Sequence, residues 1–204
     1  MNVGDFGFLT ETTETEWRAA FDQFRAGTLS ISERLIQQVS LVRDGNEAAV
    51  FLALNDTVVS AAGISKIIRL SVSVGGELLG RYRADGMIVS TPTGSTAHSV
   101  AAGGPILDPR IDAQVINPIC AFTLSHRPVV VPGEEEIEIE VEREQRTEVI
   151  LTVDGQIVEP LEPCDRVIVR RASTTAHIVR AANRSFYEVL RSKLNWSGGP
   201  ESGT

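Results

Sequence analysis

Between Asp85 and Pro105 the chain reads DGMIVSTPTGSTAHSVAAGGP, a run dense in glycine and hydroxyl side chains and set among apolar, β-branched stretches. Glycine lets a ligand approach the backbone, serine and threonine offer donors and acceptors, and the first turn of a helix carries unpaired N–H groups that attract anions. MIVS reads as a strand ending at Thr91-Pro92, and TGSTAHSVAA as a loop running into a helix. Gly94 then admits a ligand to the backbone, Ser95 and Thr96 supply hydroxyls, and Ala97, Ser99, Ala101 and Ala102 let the helix pack closely or lie beside a flat ring. Phosphate loops of fixed spelling are absent, since no GK[ST] follows and no GxGxxG occurs. A Gly-rich turn with a helix cap explains the composition equally well.

Other reactive residue types have plainer readings. Ser125 and His126 are adjacent, the wrong geometry for a nucleophile and its base. In EEEIEIEVE the residues Ile137, Ile139 and Val141 alternate with glutamates, which puts one strand face on the core and the glutamates in water. Asp154-Gly155 suits a tight hairpin. Cys120 and Cys164 are too few for a disulfide framework and lack CxxC spacing, which fits a reducing compartment.

The elements that must position these residues follow from periodicity. Thr13 and Glu16 form a capping box, Trp17, Ala20, Phe21 and Phe24 fall at helical spacing, and Gly27 offers a stop, which predicts a helix over 14–26. From Ile31 onward apolar runs are separated by turn signals at Asp44-Gly45-Asn46, Gly75-Gly76 and Asp154-Gly155, so the fold class is mainly β with flanking helices. Asn183 or Ser185 can cap a final helix carrying Phe186, Tyr187, Leu190 and Leu194, ahead of a polar tail. With 204 residues, a net charge of −8 and a pI near 5.0, the chain has no electrostatic footprint for nucleic acid or an anionic membrane. No leader or spanning segment is visible, and a cytoplasmic location is expected.

Taken together, DGMIVSTPTGSTAHSVAAGGPI and NPICAFTLSHRPVVVP resemble the two most recognisable segments of the NAD kinase family. Further similarity lies in GDFGFLTE, ALND, VDGQ and SFYEVLRSKLNW, in family order and over nearly the whole chain. The resemblance implies phosphoryl transfer from ATP or polyphosphate to the adenosine ribose 2′-hydroxyl of NAD, giving NADP, with Mg²⁺ or another divalent cation, in a homodimer or homotetramer. It implies a β-sandwich-like C-terminal domain of a two-domain α/β plus all-β kinase. Residues 1–30 would be a remnant of the N-terminal α/β domain, 31–172 the β-rich NAD-binding domain, and 173–204 a strand and helix returning toward the N-terminal domain, with a flexible tail.

Residue by residue, Asn55 and Asp56 match the family's NE/D pair, which resembles a clamp for the NAD adenosine. Thr96 and Ala97 match positions bordering the dinucleotide, and His98 stands where the family usually has a stacking tyrosine. Asp85 matches a residue that reaches toward a ligand on the neighbouring subunit. Phe8 matches an aromatic of the nucleotide pocket, Arg83 could meet the 2′-phosphate of NADP, and Asp154 falls in the vicinity of the phosphates and metal. The family's catalytic aspartate belongs to a GGDG motif, and no GGDG occurs in this chain. The resemblance therefore implies an enzyme incomplete for catalysis or, in the alternative, a non-catalytic dinucleotide-binding or oligomerisation module. Trp17, Phe21, Phe24, Phe186 and Leu190 are then expected to expose apolar surface that an N-terminal domain would cover.

Overall fold

Turn chemistry decides where this chain reverses. The computed structural model describes residues 12, 15–63, 67–122, 126–180 and 185–194. Within them Asp44 and Gly45, Gly75 and Gly76, and Asp154 and Gly155 all take positive φ, between 49° and 82°. Paired positive φ values match the right-handed twist of the flanking strands, so each of the three sites closes a tight hairpin. The hairpins join β1 (Ser30–Arg43) to β2 (Asn46–Ala53), β4 (Ile68–Val74) to β5 (Glu77–Ala84), and β10 (Val149–Val153) to β11 (Ile157–Leu161).

The other strands are β3 (Asp56–Ala61), β6 (Gly86–Ser90), β7 (Ala113–Ile119), β8 (Val129–Pro132), β9 (Ile137–Val141) and β12 (Arg166–Arg180). They assemble into two six-stranded sheets, in the orders β2-β1-β12-β9-β4-β5 and β11-β10-β3-β6-β7-β8. The expectation of a mainly β fold holds. In β9 the alternation does what period 2 requires: Ile137, Ile139 and Val141 are fully buried while Glu138 and Glu140 lie between core and water. Glu138 there meets Arg166 at 3.1 Å. One core cluster takes Val39, Leu70 and Ile139 from the first sheet and Val59, Met87 and Leu151 from the second. Each such fully buried aliphatic side chain is worth roughly 1.5–3 kcal/mol relative to exposure.

A polar crosslink runs through that core. Gln37 on β1, with no exposed surface, donates to Val89 O and to Gln114 Oε1 and accepts from Thr57 Oγ1 at 2.9 Å. Gln114 in turn donates to the carbonyls of Gly133 and Glu135. A buried network with its members paired favours one arrangement of the sheets over its near alternatives.

The chain divides into two compact units, residues 1–33 with 177–204, and residues 34–176. In the first, α1 (Trp17–Arg25) starts later than the expected residue 14. Its N-cap is Glu16, which makes no side-chain cap, and Thr13 lies outside the described residues. Gly27 ends it with a φ of +70°. Trp17, Phe21 and Phe24 are exposed as expected, whereas Phe186 is half-buried and Leu190 is buried, contrary to the expectation for both. Both belong to α3 (Phe186–Lys193), which opens on the Ser185–Glu188 capping box.

Candidate functional site

The Leu54-Asn55-Asp56 turn joins β2 to β3, and the polar groups of its backbone are all taken. Asp154, at the β10–β11 hairpin, accepts three N–H bonds with one carboxylate: from Leu54 at 2.8 Å, Asn55 at 2.7 Å and Asp56 at 3.0 Å. On the carbonyl side, the Thr91 hydroxyl donates to Leu54 O at 2.6 Å, the Thr91 N–H to Asn55 O at 2.9 Å, and the Asp154 N–H to Asp56 O at 3.0 Å. A turn with every donor and acceptor paired has little freedom to move. Three charge-assisted bonds to one carboxylate are also stronger than three neutral ones.

The same turn explains Gly94. A Cβ built on Gly94 would lie 2.0 Å from Asn55 O and 2.4 Å from its carbonyl carbon. The Asn55 main chain presses on the Cβ side of Gly94, so the fold alone requires the glycine there, without a ligand. Gly103 is required by its φ of +80°, and Gly104 because a Cβ would meet the Ser99 hydroxyl and the Asn117 amide.

TGSTAHSVAA runs from a loop into a helix as expected, and the helix is short. It forms a 3₁₀ turn at Gly94–Thr96 and a single turn α2 (His98–Ala101), broken at Ala97 with φ −101° and ψ −120°. The N–H groups expected to await a ligand are used at home: Gly94 N–H by Thr91 Oγ1, Ser95 N–H by Thr91 O, and Ala97 N–H by Gly94 O. The Ser95 hydroxyl, fully buried, donates to Pro92 O and accepts from the Leu107 N–H. Thr91 and Ser95 thus organise the loop. From the sequence Thr91 reads only as a strand end, although Ser and Thr hydroxyls commonly accept a backbone N–H two or three residues on.

Of the candidate residues, the structure brings Asn55, Asp56, Thr96, His98 and Asp154 to one end of the second sheet. Asp56 is 5% exposed. Burial pushes its carboxyl above the ordinary range. The His98 ring and backbone N–H pull it back, and the Asp154 charge raises it further. Asn55 and Thr96 are half-buried, while Ala97 and His98 stand exposed at the rim. A carboxylate and a carboxamide on a rigid turn, with hydroxyl and imidazole beside them, can hydrogen-bond the hydroxyls and amine of a nucleoside.

Arg83 and Asp85 are not part of that group. Asp85 precedes β6 and Thr91 follows it, so about six residues of strand, ~20 Å, separate the two ends. There the Arg83 guanidinium lies over the exposed Phe122 ring, 5.1 Å from its centre, and the Asp85 N–H binds Ile119 O. Phe8 and Ser125 lie outside the described residues. A cleft of about 440 Å³ between the β4–β5 turn and Pro132 of β8, and one of about 560 Å³ on the first sheet, involve none of the candidate residues. Among the described residues no three His, Cys, Asp or Glu side chains converge as a metal site, and Asp154 has both oxygens committed to N–H groups. No helix of the described residues is long and apolar enough to cross a membrane.

Two antiparallel sheets packed on a shared core, with Asn55 and Asp56 on a polar ledge where β2, β6 and β10 end, define a mainly β domain. Comparison with known proteins is specific. Residues 54–181 match the ATP-NAD kinase C-terminal domain. The NAD kinase of Treponema denticola is 40% identical over 198 residues, 97% of this chain and 70% of that protein. That of Symbiobacterium thermophilum is 43% identical over 195 residues, 96% of this chain and 69% of the relative. A yeast NADH kinase solved with NADH superposes with a TM-score of 0.91 at 26% identity, over 99% of this chain and 61% of the other. An Archaeoglobus fulgidus NAD kinase solved with ATP gives 0.75 at 27% identity, over 96% and 72%. The chain belongs to the NAD kinase family.

Proposed function

We propose that this chain supplies the dinucleotide-binding part of an NAD kinase, which moves a phosphoryl group from ATP or polyphosphate to the adenosine ribose 2′-hydroxyl of NAD and yields NADP. The observation that supports it best is the Asn55–Asp56 turn, locked on both sides of its backbone by Asp154 and Thr91 and presenting a buried carboxylate beside a carboxamide. A rigid polar ledge keeps its hydrogen-bond geometry before the ligand arrives, which limits the ordering cost of binding. Asn55 and Asp56 would hold the adenosine, Thr96 and Ala97 would border the dinucleotide, and His98 would offer a small planar ring where a larger one usually stacks. Ala97 would meet the ligand with its exposed side, since its N–H is taken.

Asp85, about 20 Å away along β6, fits a homo-oligomer in which it faces the ligand of a neighbouring subunit, and Arg83 would meet the 2′-phosphate of NADP. A divalent cation accompanies the donor in this reading. Among the described residues no cluster of three His, Cys, Asp or Glu side chains is placed to hold it. Free Cys120 and Cys164 accord with a cytoplasmic protein.

The test is NADP formation from NAD with Mg²⁺ and either ATP or polyphosphate, by this chain and by the chain extended upstream through a GGDG segment. Positioning and charge stabilisation at the transferred phosphoryl carry most of this catalysis, so activity is expected in the extended chain and little in the 204 residues. NAD binding without turnover in both would favour the non-catalytic module. Neither binding nor turnover would end the assignment.

A further inference from the structure

We propose that Asp154 is a positioning residue for the adenosine end of the site, acting through the backbone of Asn55 and Asp56, and not a ligand of phosphate or metal. The proposal rests on the reading that these two residues meet adenosine. Geometry carries it. One carboxylate has two oxygens and about four lone-pair sites. Here Oδ1 accepts from Asn55 and Asp56 and Oδ2 from Leu54, all within 3.0 Å. Three of the four sites are filled, one is left on Oδ2, and rotating the carboxylate toward a phosphate or cation would strip at least one N–H of the turn of its partner. Nor would an anion be welcome beside it, with a second carboxylate, Asp56, buried next to it.

The backbone is shaped for this task. Asp154 sits at φ +49°, in the left-handed region that aspartate tolerates better than most residues. A simple Asp-Gly hairpin would be satisfied by asparagine or glycine at that position. Asparagine, however, presents an N–H₂ where one of the three N–H groups needs an acceptor, and glycine presents nothing. The carboxylate is therefore explained by what it holds, 99 residues earlier in the chain, and not by the turn it sits in.

Two ligands separate the roles. Adenosine has no phosphate, so a phosphate or metal role for Asp154 would leave adenosine affinity untouched, whereas a positioning role weakens adenosine and NAD alike. Binding is followed by amide chemical-shift titration without metal for the wild type, Asp154→Asn, Asp154→Ala and Asp56→Ala. Losing one of three charge-assisted bonds is expected to weaken both ligands about tenfold in Asp154→Asn, and losing all three about a hundredfold in Asp154→Ala.

In the wild type, through-hydrogen-bond couplings from the amide nitrogens of Leu54, Asn55 and Asp56 should reach the Asp154 carboxyl carbon, a signature that needs no variant to fold. Absence of these couplings overturns the proposal. So does weakened NAD with unchanged adenosine in Asp154→Asn, provided Asp56→Ala weakens adenosine. If Asp56→Ala leaves adenosine affinity unchanged, the adenosine reading itself is wrong and the positioning role falls with it.

Discussion

The Asn55 N–H donates to Asp154 Oδ1 at 2.7 Å, joining two turns that lie 99 residues apart in the chain. Leu54 and Asp56 donate to the same carboxylate, and Thr91 holds the carbonyls on the other side. Three loops from distant parts of the chain therefore behave as one unit, and a change in any of them should be felt at the Asn55–Asp56 ledge.

Gly94→Ala puts that coupling to a simple test. Its Cβ would stand 2.0 Å from Asn55 O, far inside any tolerated contact, and the neighbour is main chain that cannot rotate away. Overpacking of this kind costs about 1–3 kcal/mol or more. Denaturant unfolding of Gly94→Ala should show such a loss, and Gly103→Ala a smaller one from its positive φ alone.

Asp56 makes a prediction about pH. Its folded-state pKa is raised, by burial first and by Asp154 in addition, with His98 opposing. The contribution of this group to stability is fully present below its unfolded value near 3.8 and is lost as pH rises through the raised folded value. At pH 7 the ionised carboxylate thus opposes folding. Asp56→Asn should raise the thermal midpoint at pH 7 while weakening NAD, and the gain should shrink as pH is lowered toward 4. A midpoint gain that does not vary with pH would contradict the assigned cause.

Asp165 should matter for stability alone. It is 2% exposed and accepts from Arg43 Nε and Nη2, at 3.0 and 2.6 Å, and from the Glu162 N–H at 2.8 Å. Removing the carboxylate leaves the Arg43 guanidinium and one N–H underpaired, so Asp165→Ala should lose about 2–3 kcal/mol by denaturant unfolding, reduced from a fully buried pair because Arg43 is partly in water. Asp165→Asn should lose less. Neither should change NAD affinity, since both residues lie outside the ledge.

Helix α1 carries an apolar face with Trp17, Phe21 and Phe24 in water. Exposed aromatic patches promote association. Phe21→Lys with Phe24→Lys should lower light scattering of the isolated chain at high concentration and leave the thermal midpoint within about 4 °C, since two exposed positions together contribute within about ±1 kcal/mol.

Much of the architecture was legible because it is local. Asp44-Gly45, Gly75-Gly76 and Asp154-Gly155 declare their hairpins through backbone chemistry, and Ile137, Ile139 and Val141 declare a buried face through period 2. Ser185, one of the two caps read from sequence, likewise opens the last helix, and Glu188 completes its capping box. What could not be read was long-range. No local rule says that Asn55 presses on Gly94, so the fold's own need for the glycine was hidden. Nor does periodicity reveal that the break between the two turns falls at Ala97, or that the Ser95 hydroxyl ties the segment to the Leu107 N–H twelve residues on. The Gln37–Gln114–Thr57 crosslink was invisible for the same reason: Gln37 and Gln114 are 77 residues apart and meet only when the two sheets close.

The central claim is that the Asn55–Asp56 ledge binds the adenosine of NAD, and calorimetric titration of NAD into the wild type, Asp56→Ala and Asn46→Ala tests it most directly. Asn46 stands in a distal hairpin at the start of β2 and its side chain bonds only its own turn, so it serves as the control. Loss of a charge-assisted hydrogen bond at a buried carboxylate is expected to weaken binding about ten- to a hundredfold in Asp56→Ala, with Asn46→Ala unchanged. Equal affinities for all three proteins would contradict the assignment of the ledge.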